Sequence, residues 1–286
     1  MGRVRLSIAS GFLLLLAPAA ARAQCATDSG FAGDVARVLY ANDVRWYADR
    51  PLREGYNAHR TNTKEEFAAA LKGDYNWFEG DVRVEINHDD RLEMRHDEIH
   101  ERGDNLTLDE WLAKGKATGR GLKLDIKETA LMPLLLDRVA KSGVPDERLM
   151  FNLGDSGMAR FGAEIRKRFP NAILAINPTH ARDGRTNDGP LEDWQVTRAL
   201  ALAAKFGGPA TFVLHEGEAT RESVATLQTA GPVSIWGDVS DPAKRGRELR
   251  AIGVDGMIDL AKEHAPGLGD HWDAVINTAR TWFDWH

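Results

Sequence analysis

Cysteine and long apolar runs are both scarce in this sequence. Cys25 is the one cysteine in 286 residues, so an internal disulfide is excluded and a packed core has to stabilise the fold. The most apolar stretch, residues 11–20, is much shorter than the roughly 20 residues that a transmembrane helix requires. We therefore expect no transmembrane segment.

Basic residues are fewer than acidic ones, and the sequence lacks two common binding motifs. Lys and Arg number 37 against 43 Asp and Glu, which gives a formal net charge of −6. An acidic chain has no general attraction for nucleic acid, so we expect no nucleic-acid partner. The sequence has no cysteine cluster or HExxH pattern that would indicate a zinc site. No glycine-rich phosphate loop follows the first predicted strand, which argues against an open, dinucleotide-binding sheet.

The first 23 residues have a pattern typical of a cleavable secretory signal. Arg3 and Arg5 precede the apolar stretch, and Ala21 and Ala23 are small residues at the two positions that signal peptidase reads. We expect cleavage near Ala23 and a periplasmic or secreted mature protein of residues 24–286. No linker-like segment or internal repeat divides these residues, which favours a single domain.

Short apolar segments alternate with amphipathic helical patterns along the mature chain. Thr63 with Glu66, and Thr107 with Glu110, have the spacing of a capping box and predict two helix starts. Repeated strand–helix units favour parallel strands, and about eight of them close into a barrel. We therefore predict an α/β fold, a single (β/α)8 TIM-type barrel. The candidate strands are residues 55–58, 76–84, 92–95, 122–126, 149–152, 172–176, 211–214, 233–235 and 253–258.

This is one strand more than a barrel needs, and the surplus lies between residues 76 and 95. Too few residues separate the second and third candidates for a helical crossover, because parallel strands need a connection of about a dozen residues. We expect this region to contain a hairpin-like excursion.

Carboxylates stand two residues apart in the second candidate strand. Strand side chains alternate, so Glu79 and Asp81 point the same way, and inside a barrel their like charges need a cation or a proton. Similar alternation places Lys123, Asp125 and Lys127 on one face of a later strand, whose end would face the barrel mouth. Glu79, Asp81 and Asp125 then offer three hard oxygen ligands for Mg²⁺ or Ca²⁺. Solvated surface strands would show the same alternation.

Histidines and other polar residues follow several predicted strands. Phosphodiester cleavage needs a base for the nucleophile and an acid for the leaving oxygen, and His59 and His96 could divide these roles. Lys127 and Arg60 could hold phosphoryl oxygens, since fixed positive charge compensates the charge of the transition state. Histidines with a purely structural role are the alternative. Further candidates for substrate contact at strand ends are Asn152, Asn177 and His215.

The order of these residues resembles the superfamily of glycerophosphodiester phosphodiesterases and sphingomyelinase D-like phospholipases, whose pattern is His, Glu-x-Asp, His and an acidic-x-Lys strand. Here the pattern consists of His59-Arg60, Glu79-Gly80-Asp81, His96-Asp97 and Asp125-Ile126-Lys127. The menorin family, a branch of that superfamily, is more similar still. Its features are found in residues 58–63, 106–112, 121–127 and 169–174. The resemblance covers roughly residues 55–260.

The resemblance implies a phospholipase C-like phosphodiesterase barrel. Glu79, Asp81 and Asp125 would bind the cation, His59 and His96 would be the acid–base pair, and Lys127 would contact phosphate. Trp236 is similar to a late aromatic residue that lines the substrate mouth, and a core aromatic at a strand end would have the same pattern.

Two departures from the pattern limit what the resemblance implies about the substrate. Thr61 follows Arg60 where glycerophosphodiesterases have Gly, and Asp125 replaces their typical Glu. The expected activity is therefore that of an exported, metal-dependent phosphodiesterase acting on a small phosphodiester or lipid headgroup. The attacking nucleophile could be either water or a hydroxyl group of the substrate. The alternatives are a non-catalytic menorin-type binding barrel and a glycoside hydrolase, which also uses paired carboxylates.

Overall fold

The structure is a computed structural model that describes residues 45–46, 50–85, 88–96, 104–178 and 189–262. The predicted signal segment, Cys25 and Asp97 lie outside these residues. The strands are β1 (Arg45–Trp46), β2 (Arg50–Pro51), β3 (Asn57–Ala58), β4 (Trp77–Glu85), β5 (His88–Met94), β6 (Gly121–Ile126), β7 (Leu149–Leu153), β8 (Ile173–Ile176), β9 (Ala210–His215), β10 (Val233–Val239) and β11 (Ile258–Lys262). The helices are α1 (Lys64–Lys72), α2 (Leu108–Thr118), α3 (Met132–Ser142), α4 (Asp155–Arg168), α5 (Asp193–Phe206), α6 (Arg221–Leu227) and α7 (Pro242–Ala251).

Nine strands form one sheet, in the order β11-β10-β9-β8-β7-β6-β4-β3, with β5 paired to β4 beside this path. The ladders along the path are parallel, whereas β4 and β5 are antiparallel. The parallel strands make a nearly closed (β/α)8 barrel, which confirms the predicted fold class. The expected excursion is the β4–β5 hairpin. Across the described residues, no helix has the length and apolarity needed to cross a membrane.

Alternation along the strands divides the apolar residues into two clusters. Residues that point outward, such as Phe78, Leu122 and Phe151, belong to a large core packed under the helices. Inward-pointing residues fill the base of the barrel, as in other barrels of this type. This inner cluster consists of Leu52, Trp77, Met150, Ile173, Ala175, Val213 and Met257. The base is therefore a packed core, which leaves the opposite, C-terminal mouth as the place for a candidate site.

Two glycines make room for the large aromatic residues around β4. A Cβ atom at Gly121 would lie only 2.4 Å from the ring of Trp77, so Trp77 can fill the barrel base only because this position has no side chain. On the outer face, a Cβ at Gly80 would lie 2.3 Å from Met94 and 3.0 Å from Trp111. The outer face of Gly80 is therefore closed by these two side chains.

The two predicted capping boxes are confirmed. Thr63 accepts a hydrogen bond from the Glu66 N–H, and the Glu66 carboxylate accepts one from the Thr63 N–H, at the start of α1. Thr107 and Glu110 make the same pair of bonds at the start of α2. The start of α2 is thereby fixed so that its Trp111 packs behind β4, the strand that carries Glu79 and Asp81.

Candidate active site

Three carboxylates meet at the mouth of the barrel. Glu79 and Asp81 come from β4 and Asp125 from β6, and the parallel register makes Asp81 and Asp125 direct neighbours. Each residue offers one oxygen atom within 4.8 Å of the other two. The side chains of Glu79 and Asp81 are 1% exposed. The sequence brings these groups together because alternation directs all three side chains inward.

Lysines compensate the like charges of this carboxylate cluster. The Lys127 Nζ lies 2.7 Å from Asp125 Oδ2 and 3.0 Å from Asp81 Oδ1. Burial opposes the charged form of Lys127, but Asp125 and Asp81 outweigh it and raise its pKa. Lys123, whose Nζ lies 3.6 Å from Glu79 Oε1, is more deeply buried. Its pKa is raised in the same way, chiefly by Glu79 against the effect of burial.

The carboxylates themselves respond in opposite directions. The pKa of Asp125 is raised by burial and by the nearby charges of Glu79 and Asp81, which Lys127 offsets only in part. Burial also acts to raise the pKa of Glu79, yet the charges of His59 and Lys123 outweigh it and hold this pKa well below its usual range. Three hard oxygen donors that repel one another in a buried mouth fit a small divalent cation such as Mg²⁺ or Ca²⁺.

His59 lies just after β3 and turns one edge of its ring toward the carboxylates. Its Nδ1 is 2.9 Å from Glu79 Oε2 and 3.3 Å from Asp259 Oδ2. Burial of this edge acts to lower the pKa of His59, but Glu79 and then Asp259 outweigh it and raise the pKa well above the ordinary value. The His59 side chain is 42% exposed, so part of its ring also reaches solvent.

Arg60 links Glu79 to the second histidine. Its backbone N–H donates to Glu79 Oε2 at 3.0 Å, and its Nη2 lies 3.1 Å from His96 Nε2. A guanidinium can only donate, so His96 accepts through Nε2. Arg60 has a φ of 55°, in the left-handed region that costs a non-glycine residue roughly 1–3 kcal/mol. This backbone conformation accompanies the contacts that Arg60 makes with both Glu79 and His96.

Asn152 and Asn177 form a hydrogen-bonded chain that ends on Asp125. Asn152 Nδ2 donates to Asp125 Oδ1 at 3.1 Å, and Asn177 Nδ2 donates to Asn152 Oδ1 at 2.8 Å. Asn177 Nδ2 also donates to the Leu153 carbonyl at 2.8 Å. Both residues were predicted to contact substrate, and the structure gives them contacts that orient the Asp125 carboxylate.

His215 and Trp236 lie on β9 and β10, across the barrel from β4. They are register partners, and their rings meet edge to face with centroids 4.9 Å apart. Trp236 is half-buried and also packs on the inner cluster. Its position therefore combines the two expectations from the sequence, a residue at the mouth and a residue on the core.

Four residues that the sequence predictions left without a role complete the mouth. Asn62 holds Asp81 by two hydrogen bonds, one from its Nδ2 to Asp81 Oδ2 at 2.8 Å and one from the Asp81 N–H to its Oδ1 at 2.9 Å. Lys123 is the buried counter-charge beside Glu79. Asp259 on β11 accepts from Asn57 Nδ2 at 2.7 Å. Two of these residues could have been identified from the sequence. Asn62 lies within the motif of residues 58–63, and Asp259 directly follows the predicted strand of residues 253–258.

Comparison with known proteins supports the barrel fold and, for residues 56–148, the resemblance to menorins. Residues 56–148 match the family model of the menorin N-terminal domain. No curated protein matches the chain in sequence. Among solved structures, a glycerophosphoryl diester phosphodiesterase from Parabacteroides distasonis has a TM-score of 0.54 and 19% identity, over 88% of this chain and 92% of that one. A glycerophosphodiester phosphodiesterase from Agrobacterium tumefaciens has a TM-score of 0.49 and 14% identity, over 72% and 96% of the two chains. At this level of identity, the first of these likenesses establishes the fold alone.

Proposed function

We propose that the protein, whose residues 56–148 match the model of the menorin N-terminal domain, is an exported, divalent-metal-dependent phosphodiesterase. The observation that carries the proposal is the meeting of Glu79, Asp81 and Asp125 at the barrel mouth, with oxygen atoms within 4.8 Å of one another. Export is supported by the signal-like pattern of the first 23 residues. The menorin match includes His59, Arg60, Glu79, Asp81, His96, Asp125 and Lys127.

Glu79, Asp81 and Asp125 would hold the cation, Mg²⁺ or Ca²⁺. A bound divalent cation polarises a phosphoryl oxygen and stabilises the charge that develops in the transition state. The orientation of these carboxylates is set by neighbouring amides, since Asn62 donates to Asp81 and Asn152 donates to Asp125. Groups that orient ligands in this way are typically worth about tenfold to a hundredfold in metal affinity or activity.

His59 and His96 would move the protons of the reaction, and Arg60 and Lys127 would contact the phosphoryl oxygens. One histidine takes the proton of the attacking hydroxyl while the other gives a proton to the leaving alcohol oxygen. Attack by water gives an alcohol and an open phosphomonoester, whereas attack by a neighbouring substrate hydroxyl gives an alcohol and a cyclic phosphodiester. His215 and Trp236 would line the substrate, a small phosphodiester or a lipid headgroup.

The proposal is tested with the mature protein and the variants Glu79→Gln and His59→Ala. Turnover of bis(p-nitrophenyl) phosphate, glycerophosphodiesters and lysophospholipids is measured with Mg²⁺, with Ca²⁺ and with a chelator, and products are identified by phosphorus NMR. We expect both variants to fold and to lose turnover, His59→Ala by roughly 10²–10⁴-fold, the range of general acid–base catalysis. Glu79→Gln should also lose cation affinity in calorimetry. Glu65→Gln, on the exposed face of α1, is the matched control.

Two outcomes would count against the proposal in different ways. Turnover that persists in the chelator would reject the metal assignment. Tight cation binding without cleavage of any tested diester would favour a non-catalytic binding barrel.

A further inference from the structure

The second candidate histidine, His96, does not follow a strand of the barrel path. It comes after β5, the hairpin strand that stands beside this path and pairs with β4. The Arg95 N–H still donates to the Asp81 carbonyl, at 2.7 Å, so the hairpin returns the chain to the carboxylate cluster. Because β5 ends at Met94, strand pairing does not hold the main chain at His96 itself.

An arginine of β4 and a glutamate just after β6 hold that main chain. Arg83 Nε donates to the His96 carbonyl at 2.9 Å, and Arg83 Nη1 donates to Glu128 Oε1 at 2.7 Å. The other oxygen of Glu128, Oε2, accepts from the Val84 N–H at 3.2 Å. We call Arg83 and Glu128 the hairpin bridge. It ties the main chain of His96 both to β4 and to the end of β6.

The side chains of the hairpin bridge are suited to this task. A guanidinium presents several N–H donors in one plane, so Arg83 can serve a carbonyl and a carboxylate at the same time. Ion pairs that are fully exposed hold their geometry poorly. Here the Arg83 side chain is 12% exposed and that of Glu128 is 32% exposed. Each of the two also makes a hydrogen bond to the main chain, which fixes the geometry of the pair.

The hairpin bridge is separate from the proposed cation site. Within the described ranges of the chain, neither side chain makes a hydrogen bond or an ion pair with a member of the carboxylate cluster. The ring of His96 is held from the other side, where its Nε2 accepts from Arg60. His96 is thus held at two points, its ring by an arginine that also touches the cluster and its main chain by the hairpin bridge.

We propose that Arg83 and Glu128 are positioning residues, which fix the main chain of His96 so that its ring reaches the substrate beside the cation site. This inference rests on the proposed function, because it assigns a support to a proposed acid–base residue. Proton transfer acts over hydrogen-bond distance, and a displacement of about 1 Å at a reacting group can cost roughly 100-fold in rate. Loss of the hairpin bridge releases the His96 carbonyl and permits such a displacement.

The test uses Arg83→Met, Glu128→Ala and the double variant, with Arg91→Met, at an exposed site on the same hairpin, as the matched control. In kinetics with a glycerophosphodiester and saturating cation, each single variant should lower kcat about tenfold to a hundredfold. The double variant should lose about as much as the worse single variant, because the two residues act as one unit. KM and calorimetric cation affinity should stay within about twofold of the wild type. Glu128→Gln keeps the side-chain shape and serves if Glu128→Ala does not fold.

A second readout does not depend on turnover. The Arg95 amide, next to His96, should exchange its hydrogen about tenfold faster in Arg83→Met than in the wild type, whereas the Leu124 amide on β6 should keep its rate. Hydrogen exchange followed by NMR measures both amides.

Several results would overturn the proposal. These are an unchanged kcat, losses that multiply in the double variant, and a loss of cation affinity equal to that of Glu79→Gln. Faster exchange at Arg95 with an unchanged kcat would mean that the hairpin bridge only stabilises the hairpin. If the wild type cleaves no diester, the proposed function fails, and hydrogen exchange alone decides whether the hairpin bridge holds the segment of His96.

Discussion

Replacing Lys127 with Met should strengthen cation binding while it slows the reaction. The ammonium of Lys127 lies 2.7 Å from Asp125 Oδ2 and 3.0 Å from Asp81 Oδ1, so it occupies the edges of two carboxylates that a cation would need. A divalent ion has to displace this ammonium or accept its repulsion. Methionine has a similar length and no charge, so Lys127→Met removes both obstacles.

The size of the effect follows from these two contacts. A hydrogen bond between charged groups contributes about 1.5–3 kcal/mol net, and about 1.4 kcal/mol corresponds to a factor of ten in affinity. If the cation has to replace one such bond, Lys127→Met should bind Mg²⁺ or Ca²⁺ roughly tenfold to a hundredfold more tightly. Without the cation, Asp81 and Asp125 would repel each other in a buried mouth, and the variant should be less stable than the wild type.

Isothermal titration calorimetry measures the affinity, and thermal unfolding with and without the cation measures the stability. The melting temperature of Lys127→Met should start lower and rise further on addition of cation, because ligand binding to the folded state stabilises it. Lys141→Met, at an exposed site on α3, is the matched control. Equal or weaker cation affinity in Lys127→Met would refute the reasoning, since Lys127 would then not compete for the carboxylate edges.

Two further predictions concern the scaffold. Gly121→Ala should lower the free energy of unfolding, measured in urea, by about 1–3 kcal/mol, because the new Cβ meets the Trp77 ring. The control is Gly154→Ala, which should leave this free energy nearly unchanged because a Cβ there meets nothing within 4 Å. The pKa of Glu110 is lowered, chiefly by the hydrogen bond from the Thr107 N–H. Its ionised form therefore stabilises the start of α2 at any pH above the ordinary Glu pKa. This contribution is lost as the pH falls through the lowered pKa. Glu110→Gln should therefore cost roughly 0.3–1 kcal/mol at neutral pH and progressively less in acid, in contrast to Glu147→Gln; a difference that does not shrink in acid would contradict this.

The barrel could be predicted from the sequence because its signals are local. Alternation in β6 separates Leu122 and Leu124 from Lys123 and Asp125, and the capping boxes mark helix starts without any knowledge of tertiary contacts. The β4–β5 hairpin followed from loop length alone. The convergence of Glu79, Asp81 and Asp125 then needed only the rule that neighbouring parallel strands present their ends at one face.

The remaining site residues depend on contacts between distant parts of the chain. Asp259 meets His59 across a separation of 200 residues, and only the closure of the barrel brings the two together. Lys123 was placed on the inward face, but its role as a buried counter-charge appears only once four carboxylates surround it. Asn152 and Asn177 were placed at the mouth from their positions at strand ends, yet the sequence could not show that Asn152 donates to Asp125 and Asn177 to Asn152.

Thr61, the departure from the glycerophosphodiesterase pattern, is explained by the packing behind β4. The outer face of Gly80 is closed by Trp111, whose buried indole N–H needs an acceptor, and Thr61 Oγ1 accepts it at 2.9 Å. The same hydroxyl donates to the Glu79 carbonyl at 2.7 Å. A glycine at position 61 would leave the indole unpaired, at a cost of roughly 1–3 kcal/mol. Thr61, Gly80 and Trp111 therefore form one structural unit, which fixes the backbone of Glu79 from outside the barrel while its carboxylate points inside.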